Sequence, residues 1–367
     1  MSVQLAGVGW VTPLGSTLEG VWEKLRAGET PEPVSLGSSL GPKESRAYRV
    51  PANAIAEAAR QPRLRRSSAI SRFAVVAGLA ALRDAGLDLD AAAPARTALV
   101  FAISNGGVIY TKRFYHEIVK SGAQAASPLL FPETVFNAPA SHLAAILGIT
   151  GASYTLVGDG AVGLLALKMA DDLLANPELD RVLVVGAEEV DELLCDAYRK
   201  WRLLRAAPPI EPFARPARGT FLSEGAGAVL LGREGAIAVK RIHPGGNFER
   251  QRELARQLDR IARELATGGR ADLFVASANG TFIDAAEERM AAQHFPGAAI
   301  YAPKRSLGES VAAGGIWQVI CAALALRRQE MPDSLGAPAA GLQRVIVTTC
   351  GMNQQVGGLT LSSCSYS

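Results

Sequence analysis

Two stretches of the sequence share one plan: a short strand, a glycine turn, a helix start of small residues and a long apolar helix. They read YTLVGDGAVGLLALKMADDLL from Tyr154 and IYAPKRSLGESVAAGGIWQVICAALAL from Ile300. Strand–turn–helix units of this kind are typical of α/β architecture, and their repetition predicts two halves built alike. We place the boundary within LLGREGAIAVKR, which gives an N-terminal half of residues 1–235 and a C-terminal half of residues 236–367.

The rest of the chain alternates short β-branched runs with longer helices rich in Ala and Leu, as expected for an α/β protein. The predicted strands include Thr97–Ile103, Tyr154–Val157, Arg181–Val185, Ala226–Leu231, Leu273–Ala276 and Arg344–Thr348. The predicted helices include Ser71–Ala85, Ala161–Leu174 and Phe248–Thr267. Between Pro31 and Ala56, scattered Pro, Ser and Gly without a clear period predict a long surface loop.

Composition argues against several functions. The net charge of the 367 residues is only +3, so no general basic field predicts nucleic-acid binding. The four cysteines show neither CxxC pairing nor metal-ligand spacing, so we expect reduced buried thiols and no metal site. The run GIWQVICAALAL is too short to span a bilayer, and nothing at the N-terminus resembles an export signal. We therefore predict a cytoplasmic protein without a membrane span.

Several segments, taken together and in order, resemble one enzyme family, the β-ketoacyl-acyl carrier protein synthases. The similar segments are GVGWVTPLGSTLEGVWEKLRAGET, SRFAVVAGLAALRDAGLD, SPLLFPETVFNAPASHLAAILGITGASYTLV, FLSEGAGAVLL and KRSLGESVAAGG. The resemblance extends over nearly the whole chain. It implies an α/β protein of the thiolase-like fold, in which two pseudo-symmetric βαβαβαββ halves form α-β-α-β-α layers.

The resemblance also implies which chemical groups should be present. A condensing ketosynthase holds its acyl chain on a Cys at a helix start, and two His assist decarboxylation and stabilise the enolate and oxyanion. The corresponding positions here are Gly160, Asn279 in NGTF and Glu309 in KRSLGE, and Lys304 of the last motif is retained. Gly160 cannot hold an acyl group, Asn279 cannot shuttle a proton near neutral pH, and an ionised Glu309 repels an enolate. We therefore expect no conventional condensation by this chain alone.

Residues next to these positions have structural interpretations. The glycine-rich loop that carries a Phe gate in the family reads TCGMNQQVGG, which puts Cys350 and Met352 at the two Phe positions. No activating His or helix start is predicted beside Cys350, so we interpret it as a small buried thiol. Asp159 is interpreted as a cap of the helix that follows it. Glu309 is interpreted as a buried partner of Lys304 before it is considered as a catalytic base.

The helix after FAISNGG corresponds to the interface helix of the family, whose members are dimers. Bulky side chains at this surface would form the floor of a partner's acyl tunnel. The candidates are Val108, Tyr110, Thr111, Phe114, Phe131 and Phe136. An equally good interpretation is that they are ordinary residues of a dimer core, and both interpretations place them at the same surface.

Two basic segments correspond to regions near the docking site of the acyl carrier protein in the family. RQPRLRRSSAISR and YRKWRLLRA supply Arg63, Arg65, Arg66, Arg199, Lys200 and Arg202 as candidates. Carrier proteins are acidic, so clustered basic residues can steer and position them. The alternative is a pair of solvated basic faces. We expect no cofactor bound to this chain, because acyl chains arrive on the phosphopantetheine of the carrier.

The leading hypothesis is a chain-length-factor-like subunit, which lacks the nucleophile, pairs with an active ketosynthase and limits the volume of its acyl tunnel. Such a subunit would serve polyketide, polyene or fatty-acid-like biosynthesis. One alternative is a free-standing hydrolase, decarboxylase or acyltransferase with Glu309 as its general base. Another is a homodimeric protein that binds acyl chains.

Overall fold

The computed structural model describes residues 3–37, 44–87, 96–332 and 341–364, and a large mixed β-sheet runs through it. Its strands are β1 (Gln4–Val11), β4 (Thr97–Ile103), β5 (Ser153–Val157), β6 (Arg181–Glu188), β7 (Gly225–Gly232), β8 (Ile237–Ile242), β9 (Gly246–Asn247), β10 (Leu273–Val275), β11 (Ala299–Tyr301), β12 (Arg344–Cys350) and β13 (Gln355–Ser363). A separate antiparallel pair consists of β2 (Val34–Leu36) and β3 (Ser45–Ala47).

The strand order shows that the two halves of the chain repeat one topology. In the N-terminal half the order is β5-β4-β6-β7-β1, and in the C-terminal half it is β11-β10-β12-β13-β8. In each half the first three strands are parallel and the following pairings are antiparallel. The halves join where β1 and β8 pair at Gln4 and Leu5. The predicted pseudo-symmetry is therefore confirmed, with the two sequence repeats at equivalent places.

Helices cover both faces of the strands and also separate the halves. They are α1 (Leu18–Arg26), α2 (Ala69–Asp84), α3 (Val108–Ser121), α4 (Ala138–Leu147), α5 (Val162–Leu173), α6 (Glu192–Lys200), α7 (Gln251–Leu265), α8 (Phe282–His294), α9 (Lys304–Leu307) and α10 (Gly314–Arg328). Helices α5 and α10 contact each other and strands of both halves, whereas α2 and α4 pack outside the first half and α7 and α8 outside the second. This gives the predicted α-β-α-β-α layers.

Helix α10 shows why the central layer is so apolar. Every residue from Gly314 to Leu326 is buried, because the helix meets protein on all sides and has no solvent face. Despite this composition, no helix in the described part of the chain has the combined length and apolar character needed to cross a bilayer.

The predicted secondary structure is correct except for one segment, which was assigned the wrong type of structure. The strand Thr97–Ile103 has the predicted bounds, and the other predicted strands and helices differ from the structure by a few residues at most. The segment from Pro31 to Ala56 is not simply a surface loop, because it contains β2, β3 and a short 3₁₀ helix. Tyr48 within it is fully buried, and its backbone N–H donates to the carbonyl of Leu222. Long-range packing thus orders a segment without local periodicity; its residues 38–43 lie outside the described part.

Candidate functional site

Gly160, the residue predicted to stand at the nucleophile position, lies at the turn between β5 and α5. It is buried, and the loop after β12 passes directly over it. A Cβ built on Gly160 would lie 2.9 Å from the Cα of Gly351 and 3.0 Å from the carbonyl oxygen of Cys350. Non-bonded carbons prefer separations of about 3.5 to 4.0 Å, so even a methyl group does not fit here without backbone movement. The turn therefore offers neither a nucleophilic side chain at Gly160 nor, without backbone movement, the space for one.

Asp159 holds this loop against the turn. Its Oδ2 accepts hydrogen bonds from the backbone N–H groups of Asn353, Gln354 and Gln355, at 2.9, 3.0 and 3.4 Å. In return, the backbone N–H of Asp159 donates to Oε1 of Gln355 at 2.7 Å. The N-cap of α5 is Ala161, which has no side-chain cap. The expectation that Asp159 caps the helix is wrong, because its carboxylate satisfies donors of the loop instead.

Two of the altered motif positions, Asn279 and Glu309, form one buried polar group with the retained Lys304. Nζ of Lys304 donates to Oε2 of Glu309 at 2.8 Å, and Nδ2 of Asn279 donates to the same oxygen at 2.6 Å. Lys304 and Glu309 are each 3% exposed, and Asn279 is fully buried. Nζ of Lys304 also donates to Oγ of Ser277, and Oδ1 of Asn279 accepts from the hydroxyl of Thr281. The geometry agrees with the interpretation of Glu309 as the buried partner of Lys304, because both groups are engaged with protein atoms.

A second buried carboxyl group lies behind this cluster and was not recognised in the sequence. Oε1 of Glu287 accepts from the backbone N–H of Ser277 at 3.0 Å and from the hydroxyl of Thr348. Its Oε2 has no partner among the described residues. Burial raises the pKa of Glu287 to about 7. Its position in the helical run AAEERM did not indicate burial, because a Glu in such a run normally faces solvent.

The two gate-loop candidates are both buried. Cys350 is 1% exposed and Met352 is 8% exposed, and both pack in the core of the C-terminal half. Burial raises the pKa of the Cys350 thiol well above its ordinary value, and the nearby Glu287 carboxyl acts in the same direction. A thiol with a raised pKa and no access to solvent is a poor nucleophile, as expected.

The tunnel candidates lie on α3 and around the 3₁₀ helix Phe131–Thr134, which contact each other. Helix α4 contacts both this 3₁₀ helix and the edge strand β5. None of the residues of α3 is buried: Thr111 is exposed, and Val108, Tyr110 and Phe114 are half-buried. The ring of Phe114 contacts that of Phe131 with centroids 5.8 Å apart. The structure adds further exposed apolar residues that the sequence analysis missed, namely Tyr115, Val119, Leu129, Val135, Tyr154 and Val157.

We call the exposed apolar residues of α3, of the segment from Leu129 to Phe136 and of β5 the apolar face. Phe131 is 56% exposed and Val119 is 70% exposed, although both are large apolar side chains. Phe136 is 43% exposed, and its ring lies over Gly106. Strand β5 has a neighbour only on its β4 side within the described residues, so its other edge offers unpaired backbone groups. Exposed apolar side chains next to a free strand edge are typical of a protein–protein interface.

The basic candidates divide into free and tethered residues. Arg63, Arg65 and Arg66 are exposed around the short 3₁₀ helix Pro62–Leu64 that precedes α2. Lys200 and Arg202 are also exposed at the end of α6. Arg199, by contrast, makes two contacts within the chain. Its guanidinium forms an ion pair with Asp196 at 2.5 Å and donates a hydrogen bond to the hydroxyl of Ser45. Arg199 is therefore partly committed within its own chain.

Comparisons with known proteins show the family and the fold of this chain. The family model of the β-ketoacyl synthase N-terminal domain matches residues 1–236. Nodulation protein E of Rhizobium leguminosarum bv. trifolii is 26% identical over 238 residues, which cover 62% of this chain but only 57% of that protein. The granaticin polyketide putative β-ketoacyl synthase 1 of Streptomyces violaceoruber is 25% identical over 369 residues, which cover 90% of this chain and 87% of that protein.

A solved structure described as the ishigamide ketosynthase/chain length factor has the same fold. It superposes with a TM-score of 0.82 at 20% sequence identity, over 99% of both chains. This likeness confirms the predicted thiolase-like fold. The predicted boundary between residues 235 and 236 stays a prediction.

Proposed function

Because the chain belongs to the β-ketoacyl synthase family, we propose that it is a non-catalytic member that pairs with an active ketosynthase and shapes its acyl tunnel. The observation that carries the proposal is the crowding at Gly160. A Cβ built there would lie 2.9 Å from the Cα of Gly351 and 3.0 Å from the carbonyl oxygen of Cys350, which leaves no room for a nucleophilic side chain. Covalent acyl transfer needs a nucleophile within reach of its substrate, and the turn provides neither the group nor the space.

The buried cluster argues against a free-standing enzyme that uses Glu309. A general base must reach the proton that it abstracts, either directly or through one water. Oε2 of Glu309 is instead held by Lys304 and Asn279, and the side chain is 3% exposed. This arrangement satisfies charge inside the protein and leaves the interior without an accessible base at that oxygen.

The apolar face supports pairing with another subunit of the same fold. Phe131 and Val119 are more than half exposed, which is costly for a chain that remains alone in water. A relative of the same fold bears the name ketosynthase/chain length factor. We propose that Phe114 and Phe131 close the partner's tunnel, since their two aromatic rings contact each other on this surface.

The proposed complex receives its substrates from an acyl carrier protein. Arg63, Arg65 and Arg66 would meet the acidic carrier, together with Lys200 and Arg202. The phosphopantetheine arm would then enter the active partner, because the corresponding site of this chain is filled by its own loop. The product would be a polyketide, a polyene or a related acyl chain made in the cytoplasm.

Co-expression with a ketosynthase encoded beside the gene tests the proposal. The partner must carry an intact Cys and two His, and native mass spectrometry should show a 1:1 complex. With malonyl-loaded carrier protein we expect elongation by the complex, none by this chain alone, and none when the partner's Cys is changed to Ala. Elongation by this chain alone, or a self-dimer with bound lipid and no affinity for the ketosynthase, contradicts the proposal.

A substitution at Phe131 tests the tunnel itself. Phe131→Ala should lengthen the product, because it removes the bulk that we assign to the tunnel floor. Phe131→Leu keeps much of the apolar volume and serves as the matched control, with a product length close to that of the unaltered complex. Equal product lengths for both variants, in a complex that remains intact, would assign Phe131 to the dimer core only.

A further inference from the structure

A groove between α7 and α8 lies outside every position discussed so far. Its volume is about 480 Å³, and four arginines line it: Arg252, Arg256 and Arg263 from α7, and Arg289 from α8. One acidic residue, Asp259, lies among them and accepts from Arg263 and from Nε2 of His294. The groove therefore retains an excess of positive charge.

Three of these arginines differ from several others in the chain, because they have no carboxylate partner among the described residues. Arg83, Arg215 and Arg328, for example, each pair with a carboxylate. No side-chain ion pair or hydrogen bond within the described residues involves Arg252, Arg256 or Arg289. All three are exposed on the groove.

The floor of the groove is made of small or flexible apolar side chains. Ala255 and Ala286 leave space between the two helices, and Met290 lies beside them. Both helices are packed on the core through buried residues such as Leu258 and Ile283, so the arginines project from a rigid frame. A partner can therefore place an apolar side chain on the floor and negative groups on the rim.

The spacing of the arginines indicates an elongated partner. On α7 they occur at i, i+4 and i+11, which spans about 16 Å at 1.5 Å per residue. We propose that this groove binds an acidic amphipathic helix of a partner protein, with its carboxylates facing Arg252, Arg256 and Arg289. A helix offers carboxylates at matching intervals and an apolar stripe for the floor. A nucleic-acid backbone has no apolar stripe, and its uninterrupted phosphates would pass over Asp259.

The proposal goes beyond the pairing with a ketosynthase and is tested without it. The probe is a fluorescein-labelled amphipathic peptide with Glu at i, i+4, i+7 and i+11, and its control has the same composition with the Glu residues dispersed around the helix. Binding to the full-length chain is measured by fluorescence anisotropy in 50 mM salt. The patterned peptide should bind at least about tenfold more tightly than the dispersed one.

Matched charge reversals identify the surface. The variant R252E/R256E/R289E should lower the affinity for the patterned peptide at least about tenfold, whereas R46E/K240E/R270E, with the same change in net charge at exposed positions outside both basic surfaces, should lower it less than about twofold. Circular dichroism must show that both variants are folded. If the triple variant R252E/R256E/R289E is unfolded, the single variants R256E and R289E are measured in its place. Equal losses in the two variants, equal binding of the two peptides, or groove-dependent binding to anionic vesicles in place of the peptide would overturn the proposal.

Discussion

Around Gly160 the loop after β12 fills the space of a side chain, whereas along α3 and β5 large apolar side chains face solvent. In our proposal the first region corresponds to the catalytic site of a ketosynthase and the second to its pairing surface. Chemistry requires an accessible reactive group, and the buried cluster of Lys304, Glu309 and Asn279 offers none. Pairing requires exposed apolar area, and the apolar face has it. This difference supports our proposal that the function of this chain depends on its surface.

The largest effect is expected from breaking the buried ion pair. Lys304→Met leaves Glu309 as an unpaired charge in the interior and should lower the free energy of unfolding by about 3 to 5 kcal/mol, measured by urea denaturation. The double variant Lys304→Met with Glu309→Leu should recover most of this loss. Lys168→Met, which removes a surface ion pair with Asp172, is the control and should cost less than about 1 kcal/mol. If Lys304→Met is as mild as the control, the cluster is not the structural element described here.

Charges on the apolar face should break pairing and leave folding unchanged. Val119→Asp combined with Val157→Asp places two carboxylates on surface that we expect to be covered, and should weaken binding to the ketosynthase at least about 100-fold by calorimetry. Val34→Asp alters a similarly exposed apolar residue on β2 and should leave the affinity unchanged. Undiminished pairing by the double variant would place the interface elsewhere.

Restoring a thiol at the turn tests whether the site is closed. Gly160→Cys should lower the free energy of unfolding by about 1 to 3 kcal/mol through overpacking, and the new thiol should resist iodoacetamide in the folded protein. Gly37→Cys is the control, because a Cβ built on Gly37 meets nothing within 4 Å. That thiol should react rapidly and leave stability nearly unchanged. Rapid labelling at position 160 would show an open site.

The smallest effect concerns the pH dependence of stability. The folded-state pKa of Glu287 is raised to about 7 by burial, so the unfolded chain loses this proton first as the pH rises. Stability is therefore highest below about pH 4.5 for this group and declines until about pH 7. Glu287→Gln removes this contribution, so relative to the unaltered protein it should gain roughly 1 to 2 kcal/mol between pH 5 and 8 in urea midpoints converted to free energy. Other groups, such as Glu188 with a pKa of about 8, retain slopes of the same sign.

Much of the candidate site was predictable because it depends on residue type at recognisable positions. The sequence alone shows that Gly160 has no side chain and that Asn279 and Glu309 stand where the resemblance predicts two His. The pairing of Glu309 with Lys304 was also predictable, since five residues separate them in one motif. The tether from Arg199 to Ser45 was not, because its partner lies 154 residues away.

The sequence by itself determined the two repeated halves, the strand Thr97–Ile103 and the absence of a side chain at Gly160, because periodicity and residue chemistry are local properties. Only the tertiary structure decided that the loop after β12 occupies the space beside Gly160. Asp159 accepts from Asn353 across 194 residues of sequence, and no local pattern reports where a carboxylate will find donors that far along the chain. The apolar face was likewise decided by packing, because exposure depends on what the rest of the fold leaves uncovered.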